Sequence, residues 1–315
     1  YWLAKGVDGF RYDMAEMVPY EFWSYMNSAI KVQRPDAFLL AEVYNPKEYR
    51  NYIHLGKMDY LYDKVELYDK LKEIVQGRSN TEPITTIQKG LSDIEHHMLH
   101  FLDNHDEQRL ASPEFAGSAE NGKPLMVVSA TIGTSPMMVY FGQEVGEAGN
   151  EYGGFGTHSR TSIFDYVGVP NHQRWMNGGK FDGGLLSSSE KSLRDFYKRL
   201  LNFTLNSSAL LGDFRELHSA NTKITDGYLP EMYSFVRWSD NQKLIVVANF
   251  SSTKSSQFEL IIPKEIIQKW NLKDGRYTIV DQLFQKNQAT LKVVNGHGKV
   301  NIDMKPSESF VYQLN

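Results

Sequence analysis

The chain of 315 residues carries 34 basic and 38 acidic side chains, a formal net charge of −4 and no cysteine. Its length favours one large domain and a smaller one, and the absence of cysteine excludes disulfides, zinc thiolates and thiol nucleophiles. The sequence has no dense block of basic residues and no apolar run long enough to span a bilayer, which disfavours nucleic acid and membrane partners. A neutral substrate fits this composition better.

The first ten residues, YWLAKGVDGF, have the pattern of a helix end that stops at Gly6. Neither an initiator methionine nor a basic leader before an apolar stretch is visible. We therefore expect the sequence to be a fragment whose first helix begins upstream.

Apolar segments with strand-like and helix-like patterns alternate over the first 144 residues. They predict strands over residues 6–13, 37–43, 58–63, 97–106 and 137–144, and helices over residues 19–34, 47–56 and 122–136. Alternation of this kind is typical of a parallel sheet covered by helices. Residues 145–182, rich in Gly, Asn, Ser and His, predict a long functional loop, and a helix over residues 187–210 follows, with Ser188 or Ser189 near its start.

From about residue 217 the apolar pattern changes to a period of two. Seven short runs separated by turn residues predict strands over residues 232–238, 243–250, 257–262, 276–284, 289–294, 299–304 and 308–314. The change in pattern predicts two domains, an α/β domain over residues 1–216 and an all-β sandwich over residues 217–315.

Three acidic residues mark the ends of predicted strands. Arg11 and Asp13 share one face of the first strand, with Asp13 at its carboxyl end, and Glu42 and Asp106 end the second and the fourth. Their separations along the chain fit one and two strand–helix units of a barrel with eight strands. The carboxyl ends of such strands converge where these barrels hold their active sites.

The segments GFRYD, LLAEV and LDNHD resemble three of the four short conserved regions of the α-amylase family of glycoside hydrolases, in that family's order. The segment MMVYFGQEVG resembles the family's eighth strand, and the period-two region resembles its C-terminal domain. The resemblance implies an α/β fold, strands four to eight of a (β/α)8 TIM barrel, followed by the all-β sandwich.

By this resemblance, Asp13 is the nucleophile, Glu42 is the general acid and base, and Asp106 stabilises the transition state. Retaining hydrolysis of a glycosidic bond independently needs one ionised carboxylate that attacks and one protonated carboxyl that donates. Arg11 beside Asp13 favours the charged form of the nucleophile. The alternative is a structural arginine–carboxylate pair that ties strands together.

Four residues are candidates for binding the substrate. His105 resembles the family histidine that hydrogen-bonds the sugar at the cleavage point, Asn104 precedes it, and Arg11 lies beside the nucleophile. Tyr44 either stacks on a sugar or packs at the strand end. Weaker candidates in the long loop are Tyr152, His158, Arg160 and Trp175.

The sequence departs from the family at two points. Glu16 and Met17 stand where many members have a Lys-His pair, so acceptor-side binding is expected to differ. The first three strands, with the region that supplies most calcium ligands, have no counterpart, which leaves calcium in the complete enzyme, and a secreted or periplasmic location, open. We expect a missing N-terminal half or another chain to cover the open edges, and residues 1–315 alone to be no competent amylase.

The predicted function is retaining hydrolysis of α-glucosidic bonds in starch or maltooligosaccharides. A related α-glucosidase or transglycosylase of the same family is one alternative, which product analysis distinguishes. A non-catalytic glucan-binding protein is the other. Three clustered acids argue against it, because binding alone has no use for carboxylates that repel one another.

Overall fold

The structure, a computed structural model, describes residues 1–149, 159–163, 168–284 and 288–315. The chain divides into two compact units. The first consists of Tyr1–Lys70, Ile87–Phe101 and Ser135–Met138, and the second of Leu71–Thr86, Leu102–Thr134 and Val139–Asn315.

Four parallel strands form the sheet of the first unit. In chain order and in spatial order they are β1 (Gly9–Tyr12), β2 (Phe38–Ala41), β3 (Tyr60–Tyr62) and β4 (Met98–Leu99). The predicted strand–helix alternation and parallel pairing are therefore confirmed for this part of the chain. Glycine is required at the start of β1, because a Cβ added to Gly9 would lie 1.9 Å from the carbonyl oxygen of Phe38.

Helix α1 (Tyr20–Gln33) connects β1 to β2 and covers one face of the sheet. Trp23 and Asn27 face inward from this helix: the Trp23 ring lies 4.5 Å from that of Tyr12, and the Tyr12 hydroxyl donates to Asn27 Oδ1 at 2.8 Å. Tyr12 is 7% exposed. The helix and the core position of Tyr12, on the face opposite to Arg11, are as the sequence predicts.

The sequence also predicts features that the structure corrects. The predicted helix over residues 47–56 is present but shorter, over residues 49–55, and its part over Asn51–Leu55 is π-helical. A second π-helical turn, Lys64–Tyr68, leads into α2 (Asp69–Val75), and α3 (Glu82–Gly90) follows. The chain start agrees with the prediction, since a short 3₁₀ turn over Leu3–Lys5 ends at Gly6, whose φ is 91°.

Two predicted strands are much shorter than their apolar runs indicate. The run over residues 97–106 forms a strand only at Met98–Leu99, and the run over residues 137–144 contributes a single parallel bridge between Met137 and His100. Gly142, with a φ of 84°, instead precedes a 3₁₀ turn over Gln143–Val145. The prediction of a full strand over residues 137–144 is therefore wrong.

Three helices of the second unit precede its sheet: α4 (Lys123–Thr131), α5 (Pro170–Met176) and α6 (Ser188–Leu205). Helix α5 lies inside the segment predicted to be a loop. Helix α6 begins with a capping box in which Ser187 and Glu190 each accept a hydrogen bond from the other's backbone N–H, so its N-cap precedes the predicted serines. None of the helices in the described part of the chain is both long and apolar enough to cross a membrane.

An eight-stranded antiparallel sheet occupies the C-terminal part of the second unit. Its strands are β5 (Asp213–Glu216), β6 (Met232–Trp238), β7 (Lys243–Asn249), β8 (Ser256–Ile262), β9 (Gly275–Asp281), β10 (Gln288–Val294), β11 (His297–Met304) and β12 (Ser309–Leu314), in the spatial order 5-6-7-12-9-10-11-8. Two short helices, α7 (His218–Ile224) and α8 (Lys264–Lys269), interrupt the strand sequence.

All seven predicted strands of this region are present, and β5 is an eighth that precedes the predicted boundary. One core includes Val236 of β6 and Ile302 of β11, which come from distant positions in the strand order. Strands near opposite ends of the strand order can reach the same core only if the sheet curls around that core. The region is thus a single curled sheet and not the predicted sandwich of two sheets.

Candidate active site

Two of the predicted catalytic acids follow neighbouring strands. Asp13 comes one residue after β1 and Glu42 one residue after β2, and the parallel register places Tyr12 opposite Ala41. Both carboxylates therefore lie at the same edge of the sheet, as the sequence predicts.

The turn after β1 has an unusual backbone. Met14 adopts a left-handed backbone conformation with a φ of 43°, which is energetically costly for residues other than glycine and asparagine. In this conformation its backbone N–H donates to Glu42 Oε2 at 2.8 Å. The strained residue thus links the turn that carries Asp13 directly to the second acid.

The guanidinium of Arg11 connects the two carboxylates. Its Nη1 lies 2.5 Å from Asp13 Oδ1 and its Nη2 lies 3.3 Å from Glu42 Oε2. The Asp13 side chain is 69% exposed and that of Glu42 is 8% exposed. The pair of Arg11 and Asp13 expected from the sequence is therefore present, with Arg11 partly buried and Asp13 exposed.

Several groups keep Arg11 charged. Burial opposes its charge, but hydrogen bonds to Asp13 and Tyr62, together with the nearby Glu42 carboxylate, raise its pKa above the ordinary value. The guanidinium also lies 5.6 Å from the centre of the Tyr62 ring. Arg11 therefore contacts two acids and an aromatic ring, and its pair with Glu42 also links β1 to the end of β2.

Tyr44 lies against the second acid. Its hydroxyl donates to Glu42 Oε1 at 2.6 Å, so the side chain has a polar partner that neither stacking on a sugar nor packing at a strand end predicted. The first unit therefore brings together four of the predicted site residues, Arg11, Asp13, Glu42 and Tyr44.

The remaining predicted site residues belong to the second unit. The Asn104 side-chain oxygen accepts hydrogen bonds from the backbone N–H groups of Asp106 and Glu107, both at 2.8 Å, so Asn104 shapes the turn that carries Asp106. His105 Nε2 lies 3.1 Å from Asp106 Oδ2, and Arg160 Nη2 lies 4.0 Å from Asp106 Oδ1. Asp106 follows seven residues after the end of β4, so it does not end a strand as predicted.

The weaker loop candidates are only partly described. Tyr152 and His158 lie outside the described residues. Trp175 lies in α5, where its ring is 5.4 Å from that of His172 and 5.7 Å from that of Phe181. Among the described residues, no group of three or more His, Asp or Glu side chains is arranged to hold a metal ion.

Sequence reasoning missed a buried ion pair in the same segment as Asp106. Arg109 and Asp103 are both fully buried, and Arg109 Nη1 lies 3.2 Å from Asp103 Oδ2. Arg109 also donates to the carbonyl oxygen of Phe141 and to Thr161 Oγ1, while Leu110 N–H donates to Asp103. The only feature of the sequence that pointed to this pair is the position of Arg109, three residues after Asp106. The pair fixes both ends of the segment that carries Asn104, His105 and Asp106.

This ion pair predicts a pH-dependent stability. Burial raises the pKa of Asp103 from 3.8 to about 6, against the opposing effects of Arg109 and the Leu110 N–H. The folded state therefore holds a proton that the unfolded state has lost, so the stability from this group is greatest below pH 3.8 and falls as pH rises towards 6. We expect the gap in unfolding free energy between the protein and Asp103→Asn, which cannot titrate, to narrow by on the order of 2 kcal/mol from about pH 4 to about pH 6.

Urea denaturation at several pH values within this range measures the gap. Asp36→Asn is the matched control, because the Asp36 side chain is 80% exposed and its variant should show a nearly constant gap. A gap for Asp103→Asn that stays constant over the range contradicts the prediction.

Comparison with known proteins gives one family and a set of structural relatives. The family model described as the alpha amylase catalytic domain matches residues 1–177, more than half of the chain. The cyclomaltodextrinase of Thermoanaerobacter pseudethanolicus is 24% identical over 264 residues, covering 82% of this chain and 40% of that protein. The chain spans about two fifths of the length of the curated relatives that it matches first.

Solved structures match over all or nearly all of the chain. A maltogenic α-amylase from Thermotoga neapolitana has a TM-score of 0.71 at 17% identity, covering 100% of this chain and 63% of that protein. An α-amylase from Geobacillus thermoleovorans, solved in complex with acarbose, has a TM-score of 0.65 at 17% identity, with coverages of 100% and 62%. At these identities the likeness establishes similarity of fold.

Proposed function

The chain belongs to the α-amylase family of catalytic domains, and from this premise we propose that it acts in a retaining glycoside hydrolase that cleaves α-glucosidic bonds in starch or maltooligosaccharides. The observation that carries the proposal is the single guanidinium of Arg11, which binds both Asp13 and Glu42. Two carboxylates that bind one guanidinium are held side by side, and retaining glycosidases need a separation of about 5 to 5.5 Å.

The two acids have different roles in this proposal. Asp13, the more exposed, attacks the anomeric carbon and forms a glycosyl ester. Glu42 donates a proton to the leaving oxygen, and then, as a base, takes a proton from the water that cleaves the ester. Arg11 keeps Asp13 hydrogen-bonded through Oδ1, and the other carboxylate oxygen of Asp13 is the one assigned to the attack.

The residues of the segment LDNHD, in the second unit, are assigned roles by their resemblance to a conserved region of the family. We assign Asp106 to stabilising the positive charge of the oxocarbenium-like transition state, a role for which a unit charge about 4 Å away at an effective dielectric near 20 is worth about 4 kcal/mol. We assign His105 and Arg11 to contacts with the substrate. Asn104, whose side-chain oxygen is engaged by the turn, and Tyr44, whose hydroxyl is engaged by Glu42, are assigned to positioning these contacts.

The proposed architecture is a (β/α)8 barrel with a C-terminal β domain. β1 pairs only with β2 in the described part of the chain, so its other edge is open to a further strand. We propose that additional strands, from an N-terminal half of the barrel or from another chain, cover this edge. Residues 1–216 are assigned to the barrel and 217–315 to the β domain, with the exception of β5, which pairs with β6.

Product stereochemistry tests the proposal. We expect the complete enzyme, in which further strands cover the open edge of β1, to release the α-anomer first from maltooligosaccharides, because two displacements at the anomeric carbon retain its configuration. Proton NMR of the early products reports the anomer before mutarotation, and soluble starch, cyclodextrins and 4-nitrophenyl maltosides define the substrate range. Release of the β-anomer, or no hydrolysis of any α-glucan, contradicts the proposal.

A further inference from the structure

Glu16 connects the turn after β1 to the segment after β2. Its Oε2 accepts hydrogen bonds from the backbone N–H of Tyr44 at 2.9 Å and from that of Asn45 at 3.0 Å. Each bond is charge-assisted, and the two donors are consecutive, so one carboxylate oxygen fixes the direction in which the chain leaves β2. This is the residue that replaces a lysine in many members of the family.

The turn that carries Glu16 is itself well supported. The Trp23 indole N–H donates to the carbonyl oxygens of Ala15 and Val18, at 3.0 and 3.1 Å. The Tyr52 hydroxyl lies within hydrogen-bond distance of the carbonyl oxygens of Glu16 and Val18, at 3.1 and 2.9 Å. Glu16 therefore projects from a fixed turn, and the segment that it binds takes its position from that turn.

The two oxygens of Glu42 have chemically different partners. Oε2 faces the Met14 N–H and the Arg11 guanidinium, neither of which can accept a hydrogen bond. Oε1 faces the Tyr44 hydroxyl, which donates to a carboxylate but can rotate and accept from a protonated carboxyl. A proton on Oε2 would point at two donors, whereas a proton on Oε1 meets a group that can exchange roles.

We propose that Glu16 is a positioning residue for proton transfer, which holds the Tyr44 hydroxyl against Oε1 of Glu42 and so makes Oε1 the oxygen that carries the proton. The inference rests on the proposed function. In the first step the Oε1–H bond breaks and the proton joins the glycosidic oxygen. The anomeric carbon–oxygen bond breaks with its electron pair going to that oxygen, and an Asp13 oxygen forms the ester bond. The Tyr44 hydroxyl then donates to the new carboxylate.

Paired substrates test the catalytic part. In the complete enzyme we expect Glu16→Ala to lower kcat/KM on maltooligosaccharides about tenfold to a hundredfold, because a displaced acid transfers its proton poorly. The loss on 4-nitrophenyl maltosides should be much smaller, because their leaving group needs little protonation. Tyr44→Phe should give the same selective loss. Glu16→Gln should restore most of the activity, since its carbonyl oxygen can accept both backbone N–H bonds. Glu21→Ala, at an exposed acid in the first turn of α1, is the matched control and should leave kcat/KM on both substrates unchanged.

Hydrogen exchange tests the positioning part without activity. Mass spectrometry should show faster exchange of the Tyr44 and Asn45 amides in Glu16→Ala and near-normal exchange in Glu16→Gln. Equal losses on both substrates, failure of Glu16→Gln to restore activity, or unchanged exchange in Glu16→Ala would overturn the inference. An inactive complete enzyme with the expected exchange pattern would instead refute the proposed hydrolase function and leave the positioning by Glu16 standing.

Discussion

In the complete enzyme, Asp13→Asn should reduce kcat/KM on maltooligosaccharides by about 10⁴-fold or more, with almost no change in the temperature of unfolding. The carboxamide has no oxygen that can form a stable glycosyl ester, and the loss of a covalent nucleophile is among the largest effects that one substitution produces. Stability should hold because the Asp13 side chain is 69% exposed, and exposed ion pairs contribute little to it. Steady-state kinetics and calorimetry of the same preparation measure both effects.

Asp8→Asn provides a matched control at the opposite end of the same strand. Asp8 precedes β1 as Asp13 follows it, its side chain is 91% exposed, and it also pairs with an arginine, Arg34, at 2.7 Å. Its variant should retain activity within about twofold, as expected for a surface substitution. An Asp13→Asn enzyme that still hydrolyses starch at the parent rate would exclude Asp13 as the nucleophile. Mass spectrometry with a slow fluorinated glycosyl donor should show a covalent adduct on Asp13 of the parent protein only.

The local part of this site is readable from the sequence. The alternation in GFRYD places Arg11 and Asp13 on one face and Tyr12 on the other, and the structure confirms the separation, with Tyr12 packed under α1. Glu42 follows β2 in the same way. These features depend on the two-residue period of a strand and on the shared direction of parallel neighbours. Both can be predicted from short stretches of sequence.

Features that depend on distant partners are not readable in this way. The apolar run over residues 137–144 has the composition of a strand, yet only Met137 finds a bridge, to His100. In the β domain, β12 lies between β7 and β9, and the single sheet curls around its own core. A period of two identifies each strand but says nothing about the order of strands or the number of sheets.

The backbone conformation and the side-chain exposures at the site could not be predicted from the sequence either. The left-handed Met14, whose N–H reaches Glu42, has no sequence signal, because methionine rarely adopts this conformation. The exposure of Asp13 beside a buried Glu42 likewise follows from the turn and not from the strand pattern. Functional sites often contain residues that depart from their usual backbone conformation or burial, because the reaction requires a particular arrangement of groups.

Glu42→Gln should lower kcat/KM on maltooligosaccharides by about 10² to 10⁴-fold, the contribution of a general acid, and affect 4-nitrophenyl maltosides far less in the step that forms the ester. Glutamine can keep the hydrogen bonds of Glu42 but has no acidic proton to donate. Its oxygen can accept from the Met14 N–H and the Arg11 guanidinium, and its NH₂ can donate to the Tyr44 hydroxyl. The loss therefore measures proton transfer and not a collapsed turn. Glu21→Gln, at an exposed acid of α1, should leave both substrates unaffected.

The two substrates separate the general acid from the nucleophile, because Asp13→Asn should remove activity on both and Glu42→Gln mainly on the substrate with a poor leaving group. Hydrolysis of the ester also needs Glu42 as a base, so it becomes slow in Glu42→Gln even with the activated substrate. Added azide needs no deprotonation and should accelerate this second step, releasing an α-glycosyl azide by the same double displacement. Equal losses on both substrates without rescue by azide would assign the proton transfer to a residue other than Glu42.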